Sequence, residues 1–182
     1  LEVEGRVEVR MGSGIYVRAL DATRAAPALH EAESPLETIR ARQLIESELA
    51  AYAALNMRRA QIVGLREAIV QMEAESAAGH TPTEGDRLFH TRIAEACDNS
   101  VLLRLVGELF DERHNPLFEQ LGRHFENAKS WRCAVAEHRA VMRAVAAGEV
   151  AAARRAMQTH LQNSHDRFAA ALVEPTPAKR AA

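Results

Sequence analysis

The stretch Asp86–Leu102, DRLFHTRIAEACDNSVL, carries the pattern from which the fold is read. Asp86, His90, Ile93 and Cys97 recur at spacings of four, three and four, with Leu88 and Phe89 beside them, so they share one face of an α-helix. Thr83 or its neighbours would start that helix, and Asp98-Asn99 would end it. Two members of the stripe are polar, and a carboxylate or imidazole stranded in a core costs roughly 1–3 kcal/mol unless it finds a partner. The rest of the chain has to supply that partner.

The same period recurs on both sides. Ser34-Pro35 opens a helix that runs to about Asn56, with serine as N-cap, proline at the first helical position and Glu37 placed for a capping box. A second spans Arg59–Ala77 and ends at Gly79; a fourth covers Val101–Arg113 and is broken before Pro116. A fifth runs from Asn127 to Ala147, and a sixth, after Gly148, ends near Leu172. Six amphipathic helices with short connections predict an all-α antiparallel bundle over residues 34–172.

The first residues differ. Val7 and Val9 alternate with charged residues, Met11-Gly12-Ser13-Gly14 makes a turn, and Ile15, Tyr16 and Val17 follow, which reads as a β-hairpin within residues 1–18. Two strands alone are marginal in water, so the hairpin reads as part of a larger domain. The chain opens on Leu1 inside that strand-like pattern and reads as a fragment. Residues 19–33 read as a linker, and residues 173–182, with Pro175 and Pro177, as a disordered tail.

Composition narrows the class. Hydrophobic residues make up 47% of the 182, enough for a core, whereas aromatics are only 4%, and the abundance of alanine, leucine, arginine and glutamate favours helices. A net charge of −2 gives the chain no general attraction for nucleic acid, so any DNA contact needs a local patch. Cys97 and Cys133 lack CxxC spacing and lie inside helical patterns, as expected of core thiols in a reducing compartment. Neither a membrane-spanning run nor a signal peptide is evident, so the expectation is a cytoplasmic protein with no membrane partner.

Two further histidines interrupt apolar stripes. His138 lies three residues from both Val135 and Val141, and His160 lies three after Met157, with Leu161, Ser164 and Phe168 continuing its face. Asp86, His90, His138 and His160 are therefore all expected to point inward, and one divalent cation would satisfy them together. Three imidazoles and a carboxylate suit Zn²⁺ first, with Ni²⁺, Mn²⁺ and Fe²⁺ also compatible, and leave coordination positions for water or the oxygen of a small carboxylate. Each residue alone has a plainer reading, as a hydrogen-bonded core histidine or, for Asp86, as a charge that complements the helix dipole. His30, His80, His114, His124 and His165 fit the stripes less well and read as solvated or supporting residues. Arg42 stands three before Ile45 and seven before Leu49, on or beside an inward stripe. There it could pair with a ligand carboxylate, or with Glu46 at i+4 on the helix surface.

Taken in order, these segments resemble the GntR-type bacterial transcription regulators of the FadR subfamily. The hairpin GRVEVRMGSGIYV is similar to the wing that closes their winged helix-turn-helix domain. SPLETIRARQLIESELAAYAA, DRLFHTRIAEACDNSVL and EHRAVMRAVAAGEVAAARRAMQTHL are similar to their helical effector-binding domain, known as FCD, so that the resemblance covers roughly Gly5 to Phe168. It implies Asp86, His90, His138 and His160 as the metal ligands of the family's metal-binding branch, and Arg42, in RARQLIE, as the arginine facing the effector. The acyl-CoA sensors of the subfamily lack these histidines. AMQTHLQNS and the region from HNPLF to WRCAVAEHR look most like repressors of hexuronate operons.

The resemblance implies a dimeric, ligand-responsive repressor of operator DNA, not an enzyme, whose helical domain binds a divalent metal and a small organic acid such as a hexuronate. The helices that enter the DNA major groove in the family are missing here. Arg10 and Gly12 of the wing, flanked by Arg6 and Arg18, remain as candidate DNA contacts, with ordinary solvated strand charges as the plainer reading. Two rivals follow from the residues. One is a metal-dependent hydrolytic enzyme, since an open three-histidine site can activate water, although there is no HExxH glutamate and Glu137 lies one step off the face of His138. The other is a purely structural metal tying helices together.

Overall fold

Alanine-rich sequence of period 3.6 becomes helix over nearly all of residues 35–173. The computed structural model describes residues 7–10, 14–17 and 34–173. Among them are seven α-helices: Pro35–Asn56 (α1), Arg59–Ala77 (α2), Thr83–Glu95 (α3), Ser100–Asp111 (α4), Pro116–Phe125 (α5), Ala128–Ala146 (α6) and Val150–Val173 (α7). A single 3₁₀ turn, Glu112–His114, joins α4 to α5. No helix among the described residues is long and apolar enough to cross a membrane.

The helices form an all-α bundle in which α1 lies along α7, α7 along α6, and α2 against both α3 and α6. Small residues allow the first of these contacts: Ala50 and Ala53 of α1 and Ala153 of α7 are all fully buried. The main core joins Leu65 and Met72 of α2, Phe89 and Ile93 of α3, Val141 of α6 and Met157 and Leu161 of α7. A smaller cluster, Ile39, Phe118, Leu121, Phe168 and Ala171, seats α5 against the ends of α1 and α7. Gly85 fixes the start of α3, because a Cβ there would stand 2.6 Å from the backbone nitrogen of Met72. Only glycine lets α3 enter that close to α2, and this sets the position of Asp86 one residue later.

Three sequence expectations need correction. Residues 116–125 form a helix where only a break was expected, because Pro116 occupies the first helical position behind an Asn115 cap instead of ending anything. Ser34 is the N-cap of α1, but its hydroxyl makes no cap bond and the capping box with Glu37 does not form; Pro35 at the first position has no N–H to satisfy. Cys133 is exposed and not a core thiol, since the buried stripe of α6 runs through Trp131, Ala134, Val135 and His138 and passes it by.

Contacts divide the chain into two units, Leu1–Ala32 and Glu33–Ala182. In the first, strands Val7–Arg10 (β1) and Gly14–Val17 (β2) pair antiparallel, with Val7 opposite Val17 and Arg10 opposite Gly14. Gly12, Arg6, Arg18, His30, the expected linker and the expected tail beyond Val173 lie outside the described residues.

Candidate metal centre

Three helices bring the four residues singled out by pattern to one point. Asp86 and His90 come from α3, His138 from α6 and His160 from α7; all are buried, and one donor atom from each lies within 4.8 Å of the others.

Hydrogen bonds behind the rings determine what they present to the centre. His138 Nδ1 is 2.7 Å from the carbonyl oxygen of Ala134. A carbonyl only accepts, so Nδ1 carries the proton and Nε2 offers its lone pair. His160 Nδ1 faces the Glu137 carboxylate at 2.8 Å, and His90 Nδ1 faces that of Glu46. Each ring is thus held from behind by an acceptor, the arrangement that orients imidazoles in metal sites. At the centre, Nε2 of His90 and of His138 stand 3.3 Å apart. Asp86 Oδ1 is 2.9 Å from His138 Nε2 and 3.5 Å from His90 Nε2, and it completes a hydrogen bond with neither. Lone pairs and an anionic oxygen converging in a core repel one another. An added proton relieves one such contact, whereas a divalent cation answers all four donors at once.

The electrostatics fit this arrangement. Burial disfavours the Asp86 carboxylate, yet the His138 and His90 rings set against it hold it well below the ordinary carboxylate range. Burial likewise opposes ionisation of Glu46, but the Arg42 and His90 charges bring it down to about 2. Glu137 is also lowered to about 2, because hydrogen bonds from His160 and Arg167 outweigh its desolvation. His160 is pushed down to about 3, chiefly by burial, so it stays neutral and able to donate a lone pair at ordinary pH.

Arg42 pairs with Glu46, as its spacing allowed, but the pair is buried and not on the helix surface. Arg42 Nε donates to Glu46 Oε1 at 2.6 Å while Nη2 is buried without a partner. The guanidinium lies over Phe110, 4.9 Å from the ring centroid. With Asp86 and His160 it lines a chamber beside the cluster, of about 30 Å³. A candidate cation site, a guanidinium N–H unpartnered among the described residues and a small hollow between them can hold an anion chemically. They are poorly set for hydrolysis, because the two carboxylates behind the rings are committed, Glu46 to Arg42 and His90 and Glu137 to His160, Arg167 and Asn163, and Glu126 at the chamber is paired with Arg113.

Sequence reasoning missed Arg113 and Arg167 here, and the roles of Glu46 and Glu137. Glu46 was visible, since it continues the buried stripe of Ile39, Arg42, Leu49 and Ala53, but a charge pair at i+4 is equally the mark of a solvated face. Glu137 and Arg167 meet only because α6 lies along α7. Arg113, which donates to Asp86 Oδ2 at 3.0 Å, sits in the 3₁₀ turn and gave no periodic signal.

Comparison with known proteins agrees with this architecture. Residues 37–163 match the FCD domain family. The chain is 36% identical over 179 residues to the Uxu operon transcriptional regulator of Escherichia coli, a match covering 92% of this chain and 68% of that protein. It is 34% identical over 171 residues to the Exu regulon transcriptional regulator of the same organism, covering 90% of this chain and 64% of that one. Both relatives are thus about half as long again as this chain, and both are transcription regulators, not enzymes. Among solved structures, Streptococcus agalactiae GntR superposes with a TM-score of 0.63 at 20% identity, over 91% of this chain and 77% of that one, a likeness of fold.

Proposed function

The chain belongs to the FCD-domain family of GntR-type transcription regulators, and on that premise we propose that it is the sensory part of a repressor controlled by a small organic acid. Its helical domain holds a divalent metal on Asp86, His90, His138 and His160, with Zn²⁺ the first choice for this donor set and Ni²⁺, Mn²⁺ or Fe²⁺ compatible. Bound there, the cation supplies a fixed positive charge with open coordination positions for a carboxylate. Arg42 provides the second positive charge, through the Nη2 that has no partner among the described residues. The single observation that carries this reading is that His138 and His160 are hydrogen-bonded at Nδ1, with His90 Nδ1 against the Glu46 carboxylate, while lone pairs and the free oxygen of Asp86 converge.

The effector is a hexuronate or related sugar acid, in keeping with the Uxu and Exu regulators among its relatives. The regulator acts in the cytoplasm as a homodimer on a two-fold operator, with β1 and β2 as the wing of its DNA-binding domain and Arg10 and Gly12 as wing contacts. A difference of about 1–3 kcal/mol in affinity for the acid between DNA-bound and released states suffices for control.

The test is metal analysis of the protein, followed by thermal-shift titration of the metal-loaded chain with D-glucuronate, D-galacturonate and lactate. A sugar acid should raise the melting temperature. His138→Ala should lose metal and response together, and Arg42→Lys should keep metal and lose response. Sugar-acid binding that survives metal removal would reduce the metal to a structural tie, and turnover of any acid would restore the enzyme reading.

A further inference from the structure

Beyond the chamber lies a second, larger hollow. The chamber beside the cluster has about 30 Å³ of free space, room for a water molecule or two and not for an organic acid. An outer cleft of about 520 Å³ opens next to it, lined by Thr81, Thr83, Glu84 and Arg123 among others. Arg113, Glu126 and Phe168 line both hollows and therefore form the partition between them.

An ion pair closes that partition. Arg113 Nη1 donates to Asp86 Oδ2 at 3.0 Å, and Nη2 donates to Glu126 Oε1 at 2.7 Å. The guanidinium packs between the rings of Phe110 and Trp131, at 5.5 and 5.7 Å from their centroids. Glu126 caps α5, and its carboxylate folds back over Gly122, where a Cβ would stand only 3.1 Å from Oε2. A carboxylate thus rests on an arginine at the mouth of a chamber too small for the acid proposed to enter it.

We propose that the Arg113–Glu126 pair is the gate of the effector site, and that Glu126 occupies the place on Arg113 which the carboxylate of the incoming acid takes. This rests on the reading of the site as an acid sensor. Displacement exchanges one carboxylate for another on the same guanidinium, so the charge balance at Arg113 is kept while Glu126 moves toward the outer cleft and its water. Opening merges the two hollows. The acid's carboxylate then has Arg113 and Arg42 to draw it inward, and the remainder of the molecule lies against Thr81, Thr83 and Glu84, hydroxyls and a carboxylate that suit a polyhydroxy acid and not an acyl chain.

Trp131, the sole tryptophan, is 8% exposed and stands beside Arg113, so its fluorescence reports on the gate in the whole chain without any effector. The probes are acrylamide, iodide and D-glucuronate. Glu126→Gln, and independently Gly122→Ala, which crowds the seat of Glu126, should raise quenching of Trp131 above the parent. Iodide should gain more than neutral acrylamide, because Arg113 is freed to attract an anion. Glu119→Gln, which lines the outer cleft and not the chamber, should change neither. In calorimetry Glu126→Gln should bind D-glucuronate about tenfold more tightly, equivalent to ~1.4 kcal/mol, with unchanged metal content.

Quenching that stays at the parent level in both variants would overturn the gate, whatever the effector. Quenching that rises equally for both probes, or glucuronate binding that weakens in Glu126→Gln, would overturn the displacement. If the parent binds no sugar acid while iodide quenching rises as expected, the gate stands and the proposed effector falls.

Discussion

The donor cluster and its entrance are built from different material. The cluster is held by helices of 13 residues in α3, 19 in α6 and 24 in α7, and every ring in it has an acceptor behind it. The entrance consists of a three-residue 3₁₀ turn and the ten-residue α5, closed by an ion pair whose side chains are 13% and 20% exposed. A site that must present donors in one geometry needs rigid support. A passage needs elements that open at low cost, and these come from the less stable parts of a structure. The proposed sensing of an acid requires both, and the chain assigns them to separate segments.

The largest effect expected from this division is at the cluster. Asp86→Ala removes the only anionic donor and should abolish metal binding outright, as read by elemental analysis after dialysis. Metal retained at the parent level would show that the cluster is not the centre. Next in size is Arg42→Ala, which leaves Glu46 charged and buried. Removing one partner of such a pair costs up to ~3–5 kcal/mol in denaturant unfolding, because the remaining charge keeps only the His90 ring beside it. Glu126→Gln at the entrance should cost about 1 kcal/mol or less, since it exchanges one hydrogen-bonding group for another near water. Equal losses at the two positions would erase the distinction between a fixed interior and a movable entrance.

Support behind the rings comes third. Glu137→Gln keeps the shape of the residue and removes the charge that holds His160, so metal affinity should fall about 10- to 100-fold, the usual cost of losing such a partner. Metal-free protein should report the same support through pH. His160 has a pKa of about 3 in the fold against an ordinary 6.5, so the unfolded chain takes up a proton between those values and the folded chain does not. Stability therefore falls as the pH drops from 6.5 toward 3. Glu46 and Glu137, lowered from 4.5 to about 2, steepen the fall below 4.5. His90 acts in the opposite sense: its pKa is raised by Glu46 against the pull of burial, but that stabilisation is complete by pH 6.5. Melting curves recorded from pH 7 to 4 should move steadily downward, and a flat or rising profile would mean that His160 is already protonated in the fold.

How much of this was legible follows the same division. Asp86, His90, His138 and His160 could be read because each is a polar residue inside an apolar stripe of period 3.6, and the long helices carrying those stripes were readable for the same reason. The entrance could not. Pro116 serves equally to stop one helix and to start another, and α5 hides behind that ambiguity although Phe118, Leu121 and Phe125 keep helical spacing. Without α5, nothing in the sequence brings Arg113 within reach of Glu126, thirteen positions away. Glu137 was legible as a residue and not as a partner, because its role depends on how α6 and α7 face one another. Periodicity tells which side of a helix is buried and leaves open which helix lies against it.

The smallest expected effect lies at the seam between the two regions. Asp111, the last residue of α4, accepts two hydrogen bonds from Arg87 of α3, at 2.9 and 3.2 Å, and the turn carrying Arg113 begins at the next residue. The two side chains are 40% and 53% exposed, and exposed pairs of this kind contribute ~0.2–1 kcal/mol. Asp111→Asn should therefore lower stability by no more than that and leave metal content unchanged, since α3 is held independently by its packing on α2. It should also loosen the root of the turn, so acrylamide quenching of Trp131 should rise, but by less than in Glu126→Gln. A rise equal to or above that of Glu126→Gln would place the control of opening at the root of the turn, with the ion pair at its tip merely following.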